Sequence, residues 1–115
     1  MNVLLINGSP HAHGCTDAAL QEIAKALNAD GIETTIYHIG AVPVGGCVGC
    51  GGCSKAGKCV FGGPVADVLP LVEKADGIVF GAPVHYATAA ASMLGFMHRL
   101  AISGGKYLRH KPAAV

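Results

Sequence analysis

Residues 3–16 read Val3-Leu4-Leu5-Ile6-Asn7-Gly8-Ser9-Pro10-His11-Ala12-His13-Gly14-Cys15-Thr16, an unbroken apolar run that passes into a polar, glycine-bearing turn. Four consecutive branched apolar residues without alternation suit a parallel strand covered on both faces. The turn leads into a helix from about Asp17 to Asn28, marked by Leu20, Ile23, Ala24 and Leu27 on one stripe and by Gly31 beyond its end. The chain therefore opens as strand, ligand-sized turn and helix.

The same alternation continues. Glu33 to Ile39 has mixed polarity through Thr34, Thr35, Tyr37 and His38 and reads as an edge strand, whereas Gly77 to Ala82, with Ile78, Val79 and Phe80, is apolar throughout and reads as central. Between them Val65, Val68, Leu69 and Val72 form a helical stripe, and Pro70 within it predicts a kink or a split. A third helix, from roughly Thr88 to Ile102, carries Met93, Leu94, Met97, Leu100 and Ala101. Met93 and Met97 read as core or dimer-face fillers. Gly95 between them predicts a close approach, with a second subunit as one partner considered, and His98 and Arg99 fall at the helix rim. His38, Arg109 and His110 receive no role. The order βαβαβα predicts an α/β fold with a doubly wound parallel sheet. Residues 1–115 are expected to form a single domain, with a Cys-rich loop at 45–63 as an insertion.

Open α/β sheets bind ligands beyond the carboxyl ends of their strands, where the winding reverses. Two segments lie at such ends. The turn Asn7 to Thr16 is no dinucleotide fingerprint, since Gly8 and Gly14 are six apart and Ser9 stands where a close glycine is needed. It offers hydroxyls at Ser9 and Thr16, free amides and the positive end of a helix dipole, which are the parts of a phosphate cradle. A helix cap at Thr16 is the plainer alternative. The second segment, Ala82-Pro83-Val84-His85-Tyr86, combines a stiff backbone with two polar-tipped rings and suits a planar aromatic ligand.

Cys47, Cys50, Cys53 and Cys59, spaced C-x2-C-x2-C-x5-C, crowd a loop that also contains Gly45, Gly46, Gly49, Gly51, Gly52 and Gly57. So many glycines predict neither helix nor strand there and let the thiols turn toward a common centre. Three thiols at this spacing with a local fourth resemble the bacterial iron-sulfur pattern. Zinc modules more often supply two separated CxxC pairs, so zinc, free thiols and a [4Fe-4S] cluster all remain open from spacing alone. Met1 leads straight into an apolar strand without a signal peptide, so reduced thiols in a cytoplasmic setting are expected rather than disulfides. Lys55 and Lys58 would offset the negative charge of a cluster, or else stand solvated.

Charge and composition narrow the classes. The net charge is +1, which implies no nucleic-acid partner, and no apolar run is long enough for a membrane span. Charged residues make up 13% against a usual share of about 25%, while hydrophobic residues reach 51%, so part of the surface is expected to be covered in an oligomer, a homodimer or homotetramer, or else by missing chain.

The opening LLINGSPHAHGCT, the four-cysteine loop, the segment ADGIVFGAPVHYATAAASMLGFMHRL and the final HKPAAV resemble the iron-sulfur flavoprotein branch of the NADPH-dependent FMN reductase and flavodoxin-like family. That resemblance implies a flavodoxin-like strand order 2-1-3-4 with the fifth strand missing, because the sequence reaches Val115 just as a fourth strand begins. It implies FMN phosphate binding by Ser9, Gly14, Cys15 and Thr16, with His11 nearby, although relatives commonly carry Asn at position 15. Pro83, Val84, His85 and Tyr86 would line the isoalloxazine and ribityl chain, and Cys47, Cys50, Cys53 and Cys59 would hold a [4Fe-4S] cluster that exchanges electrons with the flavin. The implied activity is FMN-dependent oxidoreduction with NAD(P)H, ferredoxin or a quinone as redox partner. A cluster-free NAD(P)H-dependent FMN or quinone reductase and a cofactor-free binding module are the alternatives.

Overall fold

Residues 1–115 are described by the computed structural model. The first strand, β1 (Asn2–Asn7), pairs in parallel with β2 (Glu33–His38) on one side and with β3 (Gly77–Gly81) on the other. A two-residue strand, β6 (Ala113–Ala114), adds in parallel outside β3, giving the order β2-β1-β3-β6. This is the expected flavodoxin-like order; the fourth sheet strand is numbered β6 because a small separate hairpin, β4 (Val84–His85) and β5 (Thr88–Ala89), precedes it. The chain runs from β1 to one neighbour and crosses back to the other, so the winding reverses between β1 and β3.

Both faces of the sheet are covered, as the unbroken apolar run in β1 requires. Leu4 and Ile6 of β1 join Ile78 of β3 in the main core with α3 (Pro64–Lys74) and α4 (Ala91–Leu108). Leu5, one residue out of phase, is equally buried but points to the opposite face, where α1 (Cys15–Ala29) buries Leu20 and Ala24. Phe96 and Leu100 of α4 and Val65, Val68 and Val72 of α3 are all essentially inaccessible, so the two helices form the thicker layer. Ile23 of α1 is left beside an apolar groove with Leu20, Val79, Met97 and Val115.

Three sequence expectations are corrected here. Pro70 does not split its helix: α3 is continuous across it, and Pro70 faces outward, where the carbonyl left without an amide partner can meet water. The third helix begins at Ala91 rather than Thr88, since Thr88 and Ala89 pair with His85 and Val84 instead, and it continues past Ile102 to Leu108. Its Gly104 is buried against Leu69, with room for no Cβ, so the close packing of α3 and α4 explains a glycine inside a helix. Gly95 does mark a close approach, but to its own chain. A Cβ there would run into the carbonyl of Val44 and the backbone of Gly45, the root of the cysteine loop.

Candidate functional site

At the reversal point the two turns expected to bind ligand meet. The backbone N–H of Gly8 donates to the carbonyl of Gly81 at 2.7 Å, extending the β1–β3 pairing one step beyond the sheet register. Above this junction lies an open hollow of about 360 Å³ whose walls are Gly8 and Pro10, Gly40 to Pro43 after β2, His85 of the hairpin, and Ala90 to Ser92 at the start of α4. The turns are adjacent, and the space between them is not filled by their own side chains.

The turn after β1 is held from several directions. Asn7, fully buried, accepts from the Ser9 amide through Oδ1 at 2.9 Å, which fixes its amide orientation and leaves Nδ2 buried with no partner. An unsatisfied buried donor costs about 1–3 kcal/mol, and an acceptor supplied by a ligand would recover it. His38 of β2 places Nε2 at 2.8 Å from the Ser9 carbonyl. A carbonyl only accepts, so Nε2 carries the proton and the half-buried ring acts as donor. Ser9 Oγ accepts from the His11 amide at 3.1 Å, and its own hydroxyl proton stays free to donate.

Helix α1 begins at Cys15 with Gly14 as its N-cap and without a side-chain capping bond. Thr16 therefore lies inside the first turn and is not the cap. The first intrahelical bond is Ala18 N–H to Gly14 O at 3.0 Å, so the amides of Cys15, Thr16 and Asp17 have no backbone acceptor. Exposed donors at the positive end of a fifteen-residue helix suit an anion. Asp17 in the same turn, at 3.6 Å from His13, is the one opposing charge.

The remaining expected residues are distributed unevenly. Of Pro83, Val84, His85 and Tyr86, only His85 lines the hollow. Val84 and Tyr86 project into solvent at 74% and 103% exposure, which takes the Tyr86 ring away from the place expected for it. The cause is local: Tyr86 and Ala87 both adopt positive φ, 49° and 65°, forming the two-residue turn of the β4–β5 hairpin and carrying Tyr86 to its tip. Gly40 to Pro43 was not singled out from sequence, because an irregular segment after an edge strand has no periodic signal.

The cysteine loop runs from this hollow along α4. Ser92 Oγ donates to the Val42 carbonyl at 3.3 Å, and Gly95 receives the Val44–Gly45 backbone. Cys47, Cys50, Cys53 and Cys59 all line a second hollow of about 330 Å³, walled by Val48, Val60 and Phe61 and closed at the back by Arg99 and Ile102 of α4. Contrary to the expectation of a wholly irregular loop, Cys53 opens a one-turn helix, α2 (Cys53–Ala56), which Gly57 ends in the left-handed conformation. All five cysteines stand as free thiols, Cys15, Cys47 and Cys50 exposed and Cys53 and Cys59 half-buried. No three of the chain's Cys, His, Asp or Glu side chains stand close enough to hold one metal ion. The thiols share a cup without converging on a point. The donor set is nevertheless all sulfur, which suits zinc or an iron-sulfur cluster, and a cluster takes each thiolate at a different iron.

The β2-β1-β3-β6 sheet with turns meeting at its reversal point defines a flavodoxin-like α/β protein. The chain belongs to the NADPH-dependent FMN reductase family, which it matches over residues 1–115. It is 33% identical over 99 residues to an iron-sulfur flavoprotein of Methanocaldococcus jannaschii, covering 86% of this chain and 51% of the relative. An iron-sulfur flavoprotein of Clostridioides difficile is 26% identical over 115 residues, covering 97% of this chain and 51% of that protein. The chain thus spans about half the length of these curated relatives. A solved structure described as a candidate quinone reductase of Klebsiella pneumoniae superposes with a TM-score of 0.61 at 19% identity, covering 88% of this chain and 45% of that one, which supports the fold. No helix is long and apolar enough to cross a membrane.

Proposed function

We propose that this chain is the FMN-binding part of an FMN-dependent oxidoreductase whose thiol cup holds a [4Fe-4S] cluster in electron exchange with the flavin. The observation that carries the reading is the junction of Gly8 with Gly81, which sets the turn after β1 beside the turn bearing His85, so that Gly8, Pro10 and His85 line one open hollow. When bound, FMN supplies hydride acceptance and single-electron steps, and a cluster supplies a one-electron relay.

The chain's own residues then have distinct tasks. Ser9 donates its free hydroxyl proton and the amides of Cys15 and Thr16 face the phosphate, with Gly14 keeping the helix entrance bare and His11 beside it. His85 borders the ring system, while Tyr86 stands outside the hollow at the exposed hairpin tip. Both hollows lie along α4: Ser92 borders one and Arg99 the other, and seven residues of helix span about 10 Å. Cys47, Cys50, Cys53 and Cys59 supply the ligands, and the apolar wall of Val48, Val60 and Phe61 limits water around them. NAD(P)H, ferredoxin or a quinone serves as redox partner, and the functional unit is a homodimer or homotetramer.

A cluster-free FMN reductase is the second reading, favoured by the failure of the thiols to converge. Anaerobic reconstitution with FMN, ferrous iron and sulfide separates the two. The cluster reading expects one flavin and about four irons per chain, with Cys53→Ser losing iron while keeping flavin. Flavin without iron in the unaltered chain supports the second reading. A chain that takes up neither cofactor would overturn both and leave a binding module.

A further inference from the structure

Arg99 extends from α4 to the back of the thiol cup and is fixed there at both ends of its guanidinium. Nε donates to Cys59 Sγ at 3.3 Å, and Nη2 donates to the Gly62 carbonyl at 2.8 Å. Its backbone carbonyl accepts from Ser103 Oγ one turn later at 2.7 Å, which adds a further tie within the helix. The side chain is half-buried, and neither of the chain's two carboxylate ion pairs involves it. A guanidinium stays protonated at any accessible pH, so a positive charge sits against sulfur without a neutralising carboxylate.

We infer that Arg99 is the positioning residue of the thiol cup: it holds Cys59 and the Cys59–Gly62 limb against α4 and supplies the charge that balances an anionic iron-sulfur group. This deepens the proposed cluster reading and rests on it. Three features distinguish Arg99 from Lys55 and Lys58, which stand exposed on the loop itself. It comes from a rigid, packed helix; it touches a ligand sulfur directly; and it bridges to the loop backbone beyond that sulfur. A donor on the ligand sulfur stabilises the more negative, reduced state of a cluster, as hydrogen bonds and charge at sulfur do generally. Lysine would keep the charge but could not donate along both directions of a planar fork.

The test compares wild type, Arg99→Lys and Arg99→Met after anaerobic reconstitution with ferrous iron and sulfide. Arg99→Met is expected to lose iron to a chelator about tenfold faster or more, in line with outer-shell substitutions at metal sites. Its remaining cluster should titrate at a more negative potential, with Arg99→Lys between the two. Flavin content should be unchanged in all three, because Arg99 does not border the hollow at Gly8 and His85, and this also reports that the variants are folded. Equal iron retention and equal potentials in wild type and Arg99→Met would overturn the inference. Should wild type bind no iron at all, the cluster reading fails instead, and the contact is judged in the metal-free chain. There the Arg99 Nε–H resonance of arginine-labelled protein should be slow to exchange with solvent in wild type and fast in Cys59→Ala. Fast exchange in both would sink the contact independently of any metal.

Discussion

Gly8 and Gly81 join the ends of β1 and β3 through one backbone hydrogen bond of 2.7 Å, and each glycine has a large side chain where its own Cβ would be. At Gly8 the neighbour is Met93 of α4, with its Cε at 2.6 Å and Cβ at 2.9 Å from the added atom; at Gly81 it is Leu20 of α1, at 3.0 Å. Helices on opposite faces thus press on the same junction, which keeps the floor of the candidate flavin hollow thin and fixed.

Gly8→Ala is therefore expected to destabilise the chain by about 1–3 kcal/mol, the usual range for added volume in a filled core. The flexible end of Met93 can yield, but its Cβ cannot without moving α4. Thermal or denaturant unfolding measures the loss. Met93→Ala in the same background should recover part of it, since the pair is in direct contact.

Gly95→Ala should be worse than Gly8→Ala, because the obstruction is the backbone of Val44 and Gly45 and not a side-chain tip. The substituted chain must lift the root of the cysteine loop off α4. The expected result is destabilisation at or above about 3 kcal/mol, together with faster proteolysis within residues 45–63. Unchanged cleavage in that loop would show that Gly95 does not anchor it.

The hydrogen bond from His38 to the Ser9 carbonyl predicts a selective effect on the turn after β1. His38→Leu should weaken FMN binding by about fivefold, corresponding to one net hydrogen bond of roughly 1 kcal/mol, and His38→Gln should retain most of the affinity because its amide can donate. Fluorescence quenching of FMN titrated with each variant reads this directly. Similar affinities for Leu and Gln would remove His38 from the site's support.

Tyr37 predicts the alkaline limit of stability. Its hydroxyl donates to the Pro64 carbonyl at 3.4 Å, and burial, followed by the Asp67 carboxylate, raises its pKa above the ordinary value of about 10. The folded chain then keeps a proton that the unfolded chain releases, so this contribution is constant below about pH 10 and is lost as pH rises above it. Tyr37→Phe should flatten the decline measured by unfolding between pH 9 and about 11. An unchanged slope would assign the loss to other groups.

The sheet was legible because its signal is local. Val3 to Ile6 and Ile78 to Phe80 are apolar without alternation, a pattern that only strands covered on both faces need, and Glu33 to His38 carries the mixed polarity of an edge. The cysteine spacing announced four neighbouring thiols, but they line one cup without meeting at the common centre expected of them. The Tyr86–Ala87 turn was not legible, since neither residue is a usual donor of positive φ, and the helix expected from Thr88 was displaced by it. Nor was Pro70 readable as harmless, because its effect depends on which side of α3 faces water.

Sequence alone determined the winding of this protein, the glycine-bearing turn that leads into the first helix and the presence of four neighbouring thiols, because periodicity, glycine placement and residue chemistry act over a few positions along the chain. Tertiary structure decided which distant groups meet: His38 with Ser9, Gly95 with Val44, and Arg99 with Cys59. Those partners are 29, 51 and 40 residues apart. No local rule links them, since their meeting depends on how two helices and a loop pack against one sheet.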